Sequence, residues 1–342
     1  MHYGHGDDSY RFEKEIVANH STNIWPKGPS NDLLKHLQQN LHLIGSYPEC
    51  FSESLTQKLS VENKVPIVNI GVFNGIAEAI YLIAQSYRSC RSMIVTPTFS
   101  EYEDATSKYS HQITYIDENS CIENTICGQD IVWICNPNNP TGKLYPQDIL
   151  SQWIDRHPNT LFVIDEAYMD LVYPSHSLVE KVPACKNLIV MHSLTKNYAI
   201  PGLRLGVVYA SQEILERLHE FRPPWSVNSI AIEAGKYLVD HPPYDKNQLQ
   251  EYLEESKRLQ QLLKRIDGIS LIEGETGFFT LKTPIKSDKL KSLLITKYGI
   301  LVRDASNFRG LSPYHIRIAS LNRTKNLRLI QSLTEILDND EH

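Results

Sequence analysis

Short apolar runs, each the length of one strand, recur through the middle of the chain at residues 93–96, 113–116, 131–135, 161–164, 188–191 and 206–210. Between several of them, residues 76–87, 100–109 and 146–154 place apolar side chains at helical spacing. Unbroken apolar strands that alternate with helices are buried on both faces. The pattern therefore predicts an α/β fold with a mostly parallel sheet covered by helices on each side. The alternation breaks near Asp240, where His241-Pro-Pro243 intervenes. A charged amphipathic helix follows over 245–265, then strand-like stretches at 270–272 and 278–281. A smaller α+β domain is expected from there. The predicted division is an N-terminal arm with part of the small domain at 1–40, a large domain at 41–240 and a small domain at 241–342.

Charge and composition narrow the partners. Lys and Arg total 34 against 40 Asp and Glu, a formal net charge of −6, so a nucleic acid would be repelled overall. No apolar run approaches the roughly 18 residues that a membrane span needs. The polar start, from Met1 to Tyr10, lacks the basic and apolar regions of a secretory signal, which predicts a cytoplasmic protein. The cysteines at 50, 90, 121, 127, 135 and 185 form no C-x-x-C pair, so neither a metal site nor a disulfide framework is expected.

Polar groups cluster after three of the predicted strands. Asn136-Pro-Asn-Asn139-Pro-Thr-Gly142 follows 131–135, and open α/β sheets bind ligands at such strand ends. Alone, that segment also reads as an ordinary tight turn. Asp165-Glu166-Ala-Tyr168 follows 161–164, and acids leaving a core strand require a cationic partner. Ser193-Leu-Thr195-Lys196 closes the third strand, and a partly desolvated lysine there suits Schiff-base chemistry. Upstream, Asn74-Gly75-Ile76-Ala77-Glu78 turns into a helix whose first amides favour an anion.

These segments, in this order and followed by Arg204, resemble the fold-type I pyridoxal-phosphate enzymes related to the class I/II aminotransferases. The resemblance implies that Lys196 holds the cofactor as an imine and that Asp165 keeps its ring nitrogen protonated. It implies that Tyr168 and Asn139 bind the ring oxygen, and that Ser193, Thr195, Arg204, Gly75, Ile76 and Ala77 bind the phosphate. Where relatives carry Ser or Thr beside the glycine, Ile76 and Ala77 leave only backbone amides. Tyr102, in Pro97-Thr-Phe99-Ser-Glu-Tyr102, is assigned the ring stacked on the cofactor; a core tyrosine is the plainer alternative. Tyr47-Pro48-Glu49 resembles the segment whose tyrosine reaches the neighbouring subunit's cofactor, which implies a homodimer.

Two subgroups share these motifs, the histidinol-phosphate aminotransferases and the cobalamin-pathway L-threonine-O-3-phosphate decarboxylases. Residues 193–206, Pro224-Trp-Ser-Val-Asn228 and Asn307-Phe-Arg-Gly-Leu311 are similar to the decarboxylase segments. That similarity implies a small phosphorylated amino acid as substrate, contacted by His5, Asn23, Asn139, Arg303 and Arg317. Asp7 and Asp8 depart from the decarboxylase pattern, and acids beside an anion site weaken it unless they point away. Ser193-x-x-Lys196 also fits a serine acyl-enzyme, but the companion Ser-Asp-Asn and Lys-Thr-Gly motifs are missing from the sequence. A non-catalytic regulator of the same fold, as when such domains are fused to DNA-binding modules, is not expected, since the sequence shows no basic helix-turn-helix extension and carries every core cofactor residue that the resemblance implies.

Overall fold

The computed structural model describes residues 7–120 and 122–340. After a short strand β1 (Ala18–Asn19), the chain builds a seven-stranded sheet from β2 (Ile70–Phe73), β3 (Arg91–Thr96), β4 (Gln112–Asp117), β5 (Ile131–Cys135), β6 (Leu161–Asp165), β7 (Leu188–Ser193) and β8 (Gly206–Ala210). The order across the sheet is β2-β8-β7-β6-β5-β3-β4. Only β8 runs antiparallel to its neighbours, β2 and β7. Each expected strand is present. β2 was not anticipated, because Gly71 interrupts a run of four residues too short to stand out.

Alternation along β5 shows how the sheet is covered on both sides. Ile131, Trp133 and Cys135 enter one core with residues of the helix Gly75–Ser86, while Val132 and Ile134 enter another with residues of the helix Gln147–Arg156. All five residues of β5 are buried, as the unbroken apolar run requires.

A second sheet, entirely antiparallel, comprises β9 (Ser270–Ile272), β10 (Phe278–Lys282), β12 (Arg303–Asp304) and β13 (His315–Ala319) in the order β12-β13-β10-β9. The helix Lys246–Leu263 begins with a reciprocal cap between Asp245 and Gln248 and contributes Leu259 and Leu263 to the core of Phe279, Leu281, Ile316 and Ile318. The stretch 300–304 divides between two sheets. β11 (Ile300–Leu301) pairs in parallel with β1, and β12 pairs with β13. None of the described helices is long and apolar enough to cross a membrane.

Candidate active site

The carboxyl ends of β5, β6 and β7 deliver Asn139, Asp165 and the Ser193 to Lys196 turn to the rim of one cavity of about 530 Å³. Lys196 lies in the single turn Leu194–Asn197 that follows β7 directly. Burial, together with Arg317 and Arg204, lowers its pKa from 10.5 to about 8. Its Nζ stands 5.9 Å from the centre of the Tyr168 ring.

Asp165 is buried. Its Oδ2 accepts from the Tyr102 hydroxyl at 2.5 Å and its Oδ1 from the Ala167 backbone N–H at 2.9 Å. Burial raises the carboxyl pKa, while these donors, Lys196 and His192 oppose the rise. The result is a carboxylate held in a fixed orientation where a cationic group can meet it.

Gly75 opens the facing helix with φ +76, a conformation that glycine adopts without strain. A Cβ there would meet Arg204 Nη2 at 2.6 Å, and a Cβ on Gly206 would meet the backbone N of Ile76 at 2.7 Å. The two glycines thus allow Arg204 and the first turn of a twelve-residue helix to converge on one point. Ser193 Oγ and Thr195 Oγ1 share a single 2.8 Å hydrogen bond, so one hydroxyl proton remains for a further acceptor. Helix amides, a guanidinium and hydroxyls make an anion cradle.

A second cavity, of about 1010 Å³, shares Asn139, Tyr168, Lys196 and Arg204 with the first and adds Asp7, Asn23 and Arg317. Arg317 donates from Nη1 to Asn139 Oδ1 at 2.6 Å and from Nη2 to the Ser21 carbonyl, leaving Nε without a partner. Burial and the like charge of Arg303 lower its pKa from 12.5 to about 9, although Tyr168 opposes this. Asn23 reaches the Tyr168 hydroxyl at 3.5 Å, and its Oδ1 is buried without a partner. Unsatisfied buried groups of opposite hydrogen-bonding sense beside a cavity are suited to a polar ligand.

The residues assigned from the sequence do not all line the two cavities. Tyr102 does not line the cavity: its ring packs against Trp133 at 5.6 Å and its hydroxyl is engaged by Asp165. Phe99, three residues earlier, lines both cavities. The sequence offered two aromatic residues in one segment, and the helix Glu101–Lys108 turns the second into the core. Arg303 lines neither cavity; it sits directly opposite Arg317 across β12 and β13. Asp8 is neutralised by Lys291 at 2.7 Å, whereas Asp7 lines the second cavity with its Oδ1 held by Asn19 and Ser9. Tyr47 is 85% exposed beside Trp225 and lines neither cavity of its own chain. His5 lies outside the described residues.

Residues 10–333 match the family model for aminotransferase class I and II. The chain belongs to this family. Among its relatives, a threonine-phosphate decarboxylase of Salmonella typhimurium is 30% identical over 93% of this chain and 90% of its own length. A solved L-threonine-O-3-phosphate decarboxylase from Porphyromonas gingivalis superposes with a TM-score of 0.91 at 34% identity, covering 94% of this chain and all of that one. A histidinol-phosphate aminotransferase of Caldicellulosiruptor saccharolyticus is 28% identical, over 94% of this chain and 92% of the relative.

The class I and II family is pyridoxal-phosphate dependent, and the residues present fit that group. The cradle at Gly75 suits its phosphate, Asp165 suits a protonated ring nitrogen, and Lys196 suits its aldehyde. One consequence is measurable without substrate. In the cofactor-free protein, a pKa of about 8 leaves Lys196 neutral and nucleophilic above that pH, where ordinary lysines remain protonated. Labelling by an amine-selective reagent, mapped by peptide analysis, is expected to rise at Lys196 through pH 8. A midpoint above 10 would show a solvated amine.

Proposed function

We propose that the chain decarboxylates L-threonine O-3-phosphate to CO2 and (R)-1-aminopropan-2-ol O-phosphate, with pyridoxal 5'-phosphate as cofactor. The observation that carries this reading is Arg317, a buried guanidinium that borders the lysine-bearing cavity with its Nε unpartnered. A buried cation with a donor to spare beside a polar cavity suits an anionic group of a substrate. Arg303, directly opposite it across β12 and β13, is balanced in part by Asp304. The Salmonella typhimurium and Porphyromonas gingivalis relatives support this choice of substrate.

Bound pyridoxal phosphate supplies an electron sink for the bond that breaks at the substrate α-carbon. The chain's own groups do the rest. Gly75, Ile76 and Ala77 amides, Ser193, Thr195 and Arg204 would bind the cofactor phosphate, Asp165 would hold the ring nitrogen, Tyr168 and Asn139 would hold the ring oxygen, and Phe99 would supply an aromatic wall. Arg317, fixed by Asn139 and Ser21, orients the substrate's anionic groups, with Asn23 as acceptor for a donor on the substrate. The orientation that this clamp imposes on the substrate would select decarboxylation over transamination. Lys196 would hold and return a proton at Nζ. In this reading a second copy of the chain completes the site, its Tyr47 reaching across the interface; the exposure of that ring supports the assignment.

The test supplies L-threonine O-3-phosphate and, separately, histidinol phosphate with 2-oxoglutarate, and measures CO2, aminopropanol phosphate and glutamate. Decarboxylation is expected, with unphosphorylated threonine a poor substrate. Rapid glutamate formation from histidinol phosphate, with no CO2 from threonine phosphate, would assign the chain to the aminotransferase branch instead. Charge-assisted bonds contribute about 1.5–3 kcal/mol each, so Arg317→Ala is expected to lower kcat/KM by roughly one to two decades.

A further inference from the structure

Side chains alternate across a strand, so the residues next to Asp165 and Ser193 point away from the cavity that those two line. They are Glu166 and His192, and they meet. His192 Nε2 lies 2.9 Å from Glu166 Oε2, with the glutamate side chain fully buried and the histidine 14% exposed. Glu166 is tied further: Ser177 donates its hydroxyl to Oε2, and the Leu178 backbone N–H donates to Oε1 at 2.9 Å. None of these groups takes part in the chemistry above.

We propose that the His192–Glu166 ion pair is a positioning device for the cofactor site, locking the ends of β6 and β7 together and keeping the charge behind Asp165 balanced. The backbone ladder already joins the two ends, since the Glu166 N–H donates to the Met191 carbonyl at 2.8 Å. The side-chain pair adds a lock one residue from Asp165 on one strand and four residues from Lys196 on the other. It also sets electrostatics. Glu166 is Asp165's neighbour in the chain, and an uncompensated carboxylate there would push Asp165 toward its protonated form, which cannot hold a cationic ring nitrogen. The imidazolium cancels that charge.

The surroundings favour the cation. The groups facing His192 are Glu166 and Asp165 at the end of β6, Asp170 in the turn Met169–Leu171, Ser177, and Tyr209 on β8, whose ring crosses the imidazole edge-on at 5.4 Å. Burial works against protonation, but Glu166, Asp170 and Asp165 together outweigh it and raise the histidine pKa above 6.5. His192 also lines a separate cavity of about 1350 Å³ with Asp170, Tyr198 and Tyr244, through which protons can exchange.

The inference rests on the cofactor assignment, not on the choice of substrate, so its test reads pyridoxal-phosphate affinity in the full-length protein by fluorescence. His192→Gln is expected to weaken binding about tenfold near neutral pH, because it strands Glu166. His192→Arg, a permanent cation, is expected to stay within about threefold of wild type and to abolish the weakening that wild type shows as pH rises through the histidine pKa. The double variant His192→Gln with Glu166→Gln, which removes both charges, is expected to recover most of the loss, a coupling that lost packing alone does not produce. The proposal is overturned if His192→Gln binds within twofold of wild type, or if the double variant binds no better than the single one. Thermal unfolding of each variant checks that the protein tested is folded. Failure of wild type itself to bind the cofactor would instead reject the cofactor assignment.

Discussion

Lys196→Ala protein is expected to lose turnover by at least roughly 10⁴-fold, the upper end of what proton transfer alone contributes, because in the proposed function the residue is both the anchor for the cofactor and the proton carrier. The near-visible absorbance of lysine-bound cofactor should vanish with it. The fold should survive, since the side chain lines two cavities rather than filling a core. Borohydride reduction of the wild type, followed by digestion, should place the pyridoxyl label on the peptide containing Lys196. A label on any other lysine would reject the assignment.

Asp165→Asn is the next largest expected effect. The amide matches the carboxylate in shape, and its oxygen can still accept from the Tyr102 hydroxyl or the Ala167 N–H, so the substitution isolates charge. Without the negative charge, a protonated ring nitrogen has no ionic partner. Losing such a preorganised interaction removes about 2–3 kcal/mol from transition-state stabilisation, or roughly two decades in kcat. Activity within a few-fold of wild type in steady-state assays would remove Asp165 from that role. Tyr102, whose hydroxyl holds the carboxylate, explains why an acid can be kept in so buried a position.

The parts of the molecule legible in the sequence are those with one dominant physical cause. Strand β5 falls at 131–135 as expected, because five consecutive apolar residues buried on both faces leave no other arrangement. The helix Gly75–Ser86 begins within a residue of its expected start, after the turn that Gly75 makes. At the site, Asn139, Asp165, Tyr168, Ser193, Lys196 and Arg204 all line one cavity, since each follows a strand whose end the sheet places there or faces it from the next loop. What was not legible depends on tertiary choice. Phe99 and Tyr102 are both aromatic and close in sequence, and only the packing of Tyr102 against Trp133 decides which one faces the cavity. The fates of Asp7 and Asp8 diverge because Lys291, remote in sequence, lies within reach of one of them. The Glu166–His192 contact likewise joins residues on adjacent strands, and no local pattern announces it.

The hydrogen bond from Arg317 to the carbonyl of Ser21 spans 296 positions of the chain, and β1 pairs with β11 across a similar interval. The ribosome therefore releases the residues proposed to bind the cofactor, from Gly75 to Arg204, before it releases the arginine that borders the second cavity. Contacts of such long sequence separation close late and slowly. On the proposed reading, a nascent chain would carry its lysine and anion cradle before the guanidinium that orients the substrate, so selectivity would be completed last in synthesis.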